Sequence, residues 1–130
     1  MKLDDFTNAY VVCALWSTND ESDETGGQPL DLNYDIEDIN NETLQGMIND
    51  CKLFQQKIGA VSQDSYIGSN PDNYNVDTMI GHDFWLTRNG HGAGFWDGDW
   101  EKSVGERLDS IAKCFGETYI YIGDDNKIYS

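Results

Sequence analysis

Gly81-His-Asp-Phe-Trp-Leu-Thr-Arg-Asn-Gly-His-Gly-Ala-Gly-Phe-Trp-Asp97 is the stretch on whose reading the fold turns. Phe84-Trp85-Leu86-Thr87 favours a strand, because aromatic and β-branched side chains fit a pleated, half-buried surface. Asn89-Gly90 follows, a pair suited to the positive φ angles of a tight hairpin turn. Gly94-Phe95-Trp96 can return as the partner. Residues 82–88 and 93–97 are therefore predicted to pair as an antiparallel hairpin.

Upstream, the periodicity changes. Phe6, Tyr10, Cys13, Ala14 and Trp16 recur near helical spacing, with Asp4 or Asp5 as the cap and an end near Ser17. Residues 18–35 form a polar connection broken by Gly26, Gly27 and Pro29. Asp35 to Asn40 read as a turn or one helical turn. Asn40 or Asn41 then caps a long helix whose buried stripe is Leu44, Met47, Ile48, Cys51, Phe54, Gln55 and Ile58. Residues 64–77 are a second polar segment, broken at Gly68, Asn70 and Pro71.

Downstream of the hairpin, Val104, Leu108, Ile111, Ala112 and Phe115 mark a helix over 101–115, which Gly116 is placed to end. Thr118-Tyr-Ile-Tyr-Ile122 reads as a strand, Gly123-Asp-Asp-Asn126 as a turn, and Lys127-Ile-Tyr129 as the returning strand. The expected fold is α+β, a single layered domain over residues 1–130. Its order is α-α-β-β-α-β-β, with an antiparallel sheet packed against helices.

Charge narrows the partners. The 130 residues carry 24 acidic and eight basic side chains, a formal net charge of −16. The first fifty residues hold 12 acids against Lys2 alone, a net of −11. Such a field disfavours nucleic acid and anionic membranes and favours basic protein surfaces. Crowded carboxylates should repel, so some should titrate above their usual range. Sixteen aromatic residues (four Trp, seven Tyr, five Phe) nevertheless argue for a packed core rather than an acidic disordered chain. Cys13, Cys51 and Cys114 are odd in number and widely spaced, which fits reduced thiols in a cytoplasm better than a disulfide framework. The acidic opening Met1-Lys2-Leu3-Asp4-Asp5 does not read as a secretory leader, and no apolar run is long enough for a membrane span.

The Gly81–Asp97 stretch, the strand and Gly-Asp-Asp-Asn turn near the C-terminus, Tyr10-Val-Val-Cys-Ala-Leu-Trp16 and Leu30-Asp-Leu-Asn-Tyr34 together resemble a family of small acidic proteins of phages, prophages and plasmids. The resemblance covers most of the chain. It implies a mobile-element origin and brings no established activity.

Two sets of residues are candidates for function. One is acidic: Asp20, Glu21, Asp23, Glu24, Asp31, Asp35, Glu37 and Asp38, whose carboxylates can imitate the charge of a DNA backbone. The other is the glycine-rich stretch, with His82, Asp83, Arg88, Asn89, His91 and Asp97. It lacks a complete nucleophile–base–orienter set, the Lys-Ser/Thr of a phosphate loop and a third histidine for a metal site. No cofactor and no metal is expected. The expected function is a phage- or mobile-element-derived binding protein in the host cytoplasm. It would engage a basic surface of a DNA- or RNA-binding host protein, as a nucleic-acid mimic that inhibits host defence. The alternative is a small enzyme or ligand-binding protein using the His82–Asp97 stretch.

Overall fold

A computed structural model describes residues 3–20, 27–67, 75–90 and 94–130. Helix α1 runs Asp5–Ser17, and its cap is Asp4, whose Oδ1 accepts from the Thr7 N–H at 2.8 Å. A carboxylate there satisfies one of the amides that a helix start leaves without an internal partner. A short antiparallel ribbon follows, β1 (Asn19–Asp20) with β2 (Gln28–Pro29). Single 3-10 turns at Leu30–Leu32 and Ile36–Asp38 lead to helix α2, Asn41–Ile58. Asn40 caps α2 through Oδ1, which accepts from Glu42 and Thr43. Gly59, at φ 67°, takes the chain off its end.

Helix α3 spans Val76–Arg88 and helix α4 spans Lys102–Lys113. The last ribbon is β3 (Tyr121–Ile122) paired antiparallel with β4 (Ile128–Tyr129). The class is α+β, and the order is α-β-β-α-α-α-β-β.

The Gly81–Asp97 stretch departs most from the hairpin its aromatic runs predict. Residues 82–88 are not a strand; they lie inside α3. Every residue from Asp83 to Arg88 is buried, so the helix has no polar face there to reveal its period. Asn75 starts α3 by accepting from the Thr78 N–H at 2.8 Å. Asn89-Gly90 does turn the chain, but as the end of a helix: Gly90, at φ 68°, donates to the Thr87 carbonyl at 3.2 Å. The returning residue Phe95 is a buried knob rather than a strand residue, its N–H held by Thr87 Oγ1 at 3.0 Å. Residue 93, the start of the expected second strand, lies outside the described residues.

Two glycines set the packing. A Cβ on Gly81 would stand 2.1 Å from the Phe6 carbonyl oxygen, so α3 lies on α1 with backbone nearly touching backbone. A Cβ on Gly105 would stand 2.7 Å from the Phe95 carbonyl oxygen, which draws α4 onto the same knob. The core is aromatic. Phe54 of α2 stacks on Phe84 of α3 with centroids 4.0 Å apart and planes 8° apart. Tyr10 of α1 meets Trp85 edge-on at 5.4 Å.

The polar segment after α2 is tied down where it is described. Ile67 donates to Asp99 and Glu101 donates to Ser65, which places Tyr66 opposite Trp100. The C-terminal ribbon turns through Gly123–Asn126, with Asn126 at φ 62° in the left-handed region that Asn tolerates. Its regular pairing is shorter than the expected strand over 118–122. On its far side, β4 meets Ile39 in a parallel bridge, with Asn40 donating to Ile128 at 2.8 Å. Among the described residues, no helix is long and apolar enough to cross a membrane.

Candidate functional site

The glycine-rich candidates divide into two buried networks on opposite sides of α3. On one side, Asp83 is 4% exposed. Its Oδ2 accepts from the Trp100 indole at 2.7 Å, and its Oδ1 lies 3.2 Å from His82 Nδ1. His82 keeps a partly exposed ring, with Trp16 beside it at a centroid distance of 6.2 Å. A carboxylate orienting a half-exposed imidazole is part of a catalytic constellation, which also needs a nucleophile. Cys13 feels the charge of Asp83, but burial first and that charge second push its thiol to about 12. A thiol so held stays protonated and unreactive.

On the other side, Arg88 is 6% exposed and reaches four acceptors. Its Nη1 donates to Asp50 Oδ2 at 2.8 Å and to the Tyr10 hydroxyl at 3.1 Å. Nε donates to the Gly116 carbonyl at 2.8 Å, and Nη2 to that of Phe115 at 3.1 Å. The guanidinium also lies near the rings of Phe84 and Phe115, 5.5 and 5.6 Å from their centroids. Burial raises the Tyr10 phenol strongly, against the opposing pull of Arg88. Asn89 closes the same region, donating to the Trp85 carbonyl and accepting from the Thr118 N–H at 2.8 Å. Asp97 holds a local turn through the Gly94 and Asp99 amides. The structure therefore separates His82 and Asp83 from Arg88 and Asn89. His91 lies outside the described residues.

The acidic candidates are also divided. Glu21, Asp23 and Glu24 lie outside the described residues. Asp20 ends β1 and is partly buried. Asp35 and Asp38 brace a single 3-10 turn: Asp35 Oδ1 accepts from the Glu37 N–H, and Asp38 Oδ2 accepts from the Asp35 N–H, both at 2.9 Å. Asp31 and Glu37 are exposed. The Ile39–Ile128 bridge brings the acidic segment 35–42 alongside the ribbon that carries Asp124 and Asp125. Asp50 pairs with Arg88 at 2.8 Å and Asp109 with Lys113 at 2.9 Å. Carboxylate crowding acts where burial helps it: burial and then Asp97 and Asp83 raise Asp99. Burial also pushes Asp4 upward, but the hydrogen bonds from Thr7 and Gln55 and the charge of Lys52 together outweigh it and leave that carboxyl lowered. No group of three or more His, Cys, Asp and Glu placed to hold a metal occurs among the described residues.

One feature escaped the sequence reading: a cleft of about 530 Å³ between β1 and β3. Ser17, Thr18 and Asn19 form one wall, and Tyr119 to Ile122 form the other. Leu30 and Trp85 also line it, and Trp85 donates its indole N–H to Ser17 Oγ at 2.8 Å. The only sequence signal was the strand pattern at 118–122, which named one neighbour for β3 and left its other edge open.

In comparison with known proteins, the chain matches no family model, no curated protein and no solved structure.

Proposed function

We propose that this chain acts by binding, as an acidic mobile-element protein of the host cytoplasm that engages a basic protein surface in the manner of a nucleic acid. The observation that supports this reading is the scarcity of internal cations for its charge. Asp31, Glu37, Glu42 and Asp124 are exposed and have no ion pair with Arg or Lys among the described residues. A surface left so negative attracts Lys- and Arg-rich faces, such as those that host DNA- or RNA-binding and defence proteins present to phosphates. The resemblance to phage and plasmid proteins agrees with it. The alternative, chemistry at the His82–Asp97 stretch, gains no support from the geometry, because Asp83, Arg88 and Asn89 are engaged in holding the fold.

The test is a pull-down from host lysate at low and high salt, followed by kinetics on the captured protein. Rim charges act mainly on association rate. Replacing Asp20, Glu21, Asp23 and Glu24 by Asn and Gln should slow association several-fold, on the order of the steering effects seen between charged partners. It should also flatten the salt dependence, and duplex DNA should compete. A partner whose association ignores salt, DNA and these replacements overturns the reading.

A further inference from the structure

The cleft between β1 and β3 has a property that its volume alone does not convey: both walls are strand edges whose backbone groups point into it. On the β3 side, the Gly123 N–H donates to the Lys127 carbonyl at 2.8 Å. Antiparallel pairs alternate between hydrogen-bonded and open. Two residues back, Tyr121 is therefore the residue that exchanges bonds with Tyr129, as their register requires. The peptide groups of Ile120 and Ile122 consequently face away from β4, toward the cleft that both residues line. Among the described residues, no backbone group meets the N–H or C=O of Ile120.

The β1 wall is built the same way. Leu30 donates to the Thr18 carbonyl at 2.9 Å, and Gly27 donates to that of Asp20 at 3.1 Å. These bonds turn residues 18 and 20 toward β2. Asn19, opposite Pro29, then directs its N–H and C=O outward, along the edge that lines the cleft.

An exposed strand edge is a template for another extended chain. Here two such edges face one gap; buried Leu30 and Trp85 close its floor, and the exposed rings of Tyr119 and Tyr121 offer apolar surface at its rim to whatever lies between. Among the described residues no Lys or Arg lines the cleft, Asp20 continues one wall and Glu117 precedes the other, and the whole chain carries −16. That charge makes a second copy a poor occupant and a cationic segment a good one. We propose that the cleft takes an extended, lysine- or arginine-bearing segment of a partner protein as an added strand, joining the β1–β2 and β3–β4 ribbons into one sheet. The cationic character of the segment rests on the binding function proposed above; the strand addition rests on the two edges.

The probe is a capped synthetic heptapeptide alternating lysine and valine, titrated into the intact protein at low salt. Its control is the same peptide N-methylated at alternate residues, which keeps charge and hydrophobicity and removes backbone donors. The expected result is binding of the parent peptide, a loss of at least ~10-fold on N-methylation, and new protection from hydrogen exchange at the amides of Asn19, Ile120 and Ile122. Equal binding of both peptides, or protection confined to the acidic segment 35–42 and the 123–126 turn, overturns the added strand and leaves the charge-driven reading standing. Failure of the peptide beside salt-dependent capture of a basic host protein also sinks the cleft alone. Failure of both sinks the two readings together. A doubling of mass without peptide would assign the edges to a second copy and overturn the proposal.

Discussion

Trp100 donates its buried indole N–H to Asp83 at 2.7 Å, and this one bond fastens the 65–67 and 99–101 bridge to helix α3. A bond to a charged acceptor away from water contributes about 1.5–3 kcal/mol. Trp100→Phe keeps an aromatic ring and deletes the donor, so it should lower stability by about that amount in urea denaturation. Asp83→Leu should do similar harm by leaving the indole N–H unmet, whereas Asp83→Asn retains an acceptor and should cost less. Equal stability of Asp83→Leu and the parent would show that the bond contributes nothing.

The glycines of the helices divide into those that must stay bare and one that need not. Gly81→Ala would drive a methyl into the Phe6 carbonyl, and separating α1 from α3 should cost roughly 1–3 kcal/mol or more. Gly46 lies on the exposed side of α2 with open space around it. Gly46→Ala should therefore stabilise by roughly 0.5–1 kcal/mol, the helical preference of Ala over Gly. Thermal melts of the two variants should move in opposite directions.

Arg88 is the residue whose loss should be felt most widely. Arg88→Met would leave Asp50, the Tyr10 hydroxyl and the carbonyls of Phe115 and Gly116 without their shared donor. Breaking a buried pair on one side costs about 3–5 kcal/mol. Asp50 is partly exposed, so the lower end is expected. Arg88→Lys should recover only part of the loss, because an ammonium cannot span four acceptors on two sides of a planar fork. Full recovery by lysine would reduce the role of Arg88 to charge alone.

The cysteines should separate cleanly by reactivity. Cys13 and Cys51 are buried and their thiols are pushed up by that burial, whereas Cys114 is exposed. Iodoacetamide should label Cys114 alone in the native protein and all three in denaturant, read by intact mass. Rapid native labelling of Cys13 would mean that α1 opens far more readily than its packing implies.

The sequence announced α2 and α4 because each pairs a cap or stop with a one-sided apolar stripe, and α1, buried on most of its faces, through its Asp4 cap and the spacing of Phe6, Tyr10, Cys13 and Ala14. Asp4 and Asn40 cap, Gly59 and Gly116 turn the chain away, and Met47, Cys51 and Phe54 or Leu108 and Ala112 face inward. Helix α3 lacked that contrast. Its second half is enclosed on all sides, and Phe84, Trp85 and Thr87 carry strand preference that tertiary packing overrides. The better signal stood earlier, in Asn75 ahead of Val76 and Thr78, a cap sequence inside the segment read as a polar connection. Arg88 could be seen to want a carboxylate, but which one depends on α2 lying beside α3. The open edges of β1 and β3 were not legible, because an edge is defined by what fails to pair with it in space.

Gly81 on Phe6 also fixes when the molecule can become whole. Helix α1 is the first element of the chain, yet its closest companion comes after α2, and the bonds from Trp85 to Ser17 and from Asn75 to Asp5 bridge the intervening sequence. Contacts so distant along the chain slow the search for the native state. As the polypeptide emerges from a ribosome, Phe6 can meet Phe54 of α2, but the faces of α1 that Phe84 and Trp85 cover stay open until residues 76–88 have been made. A nascent chain paused before that point would present an apolar helix to chaperones and proteases, and its half-life in the cell would be set by how quickly α3 arrives.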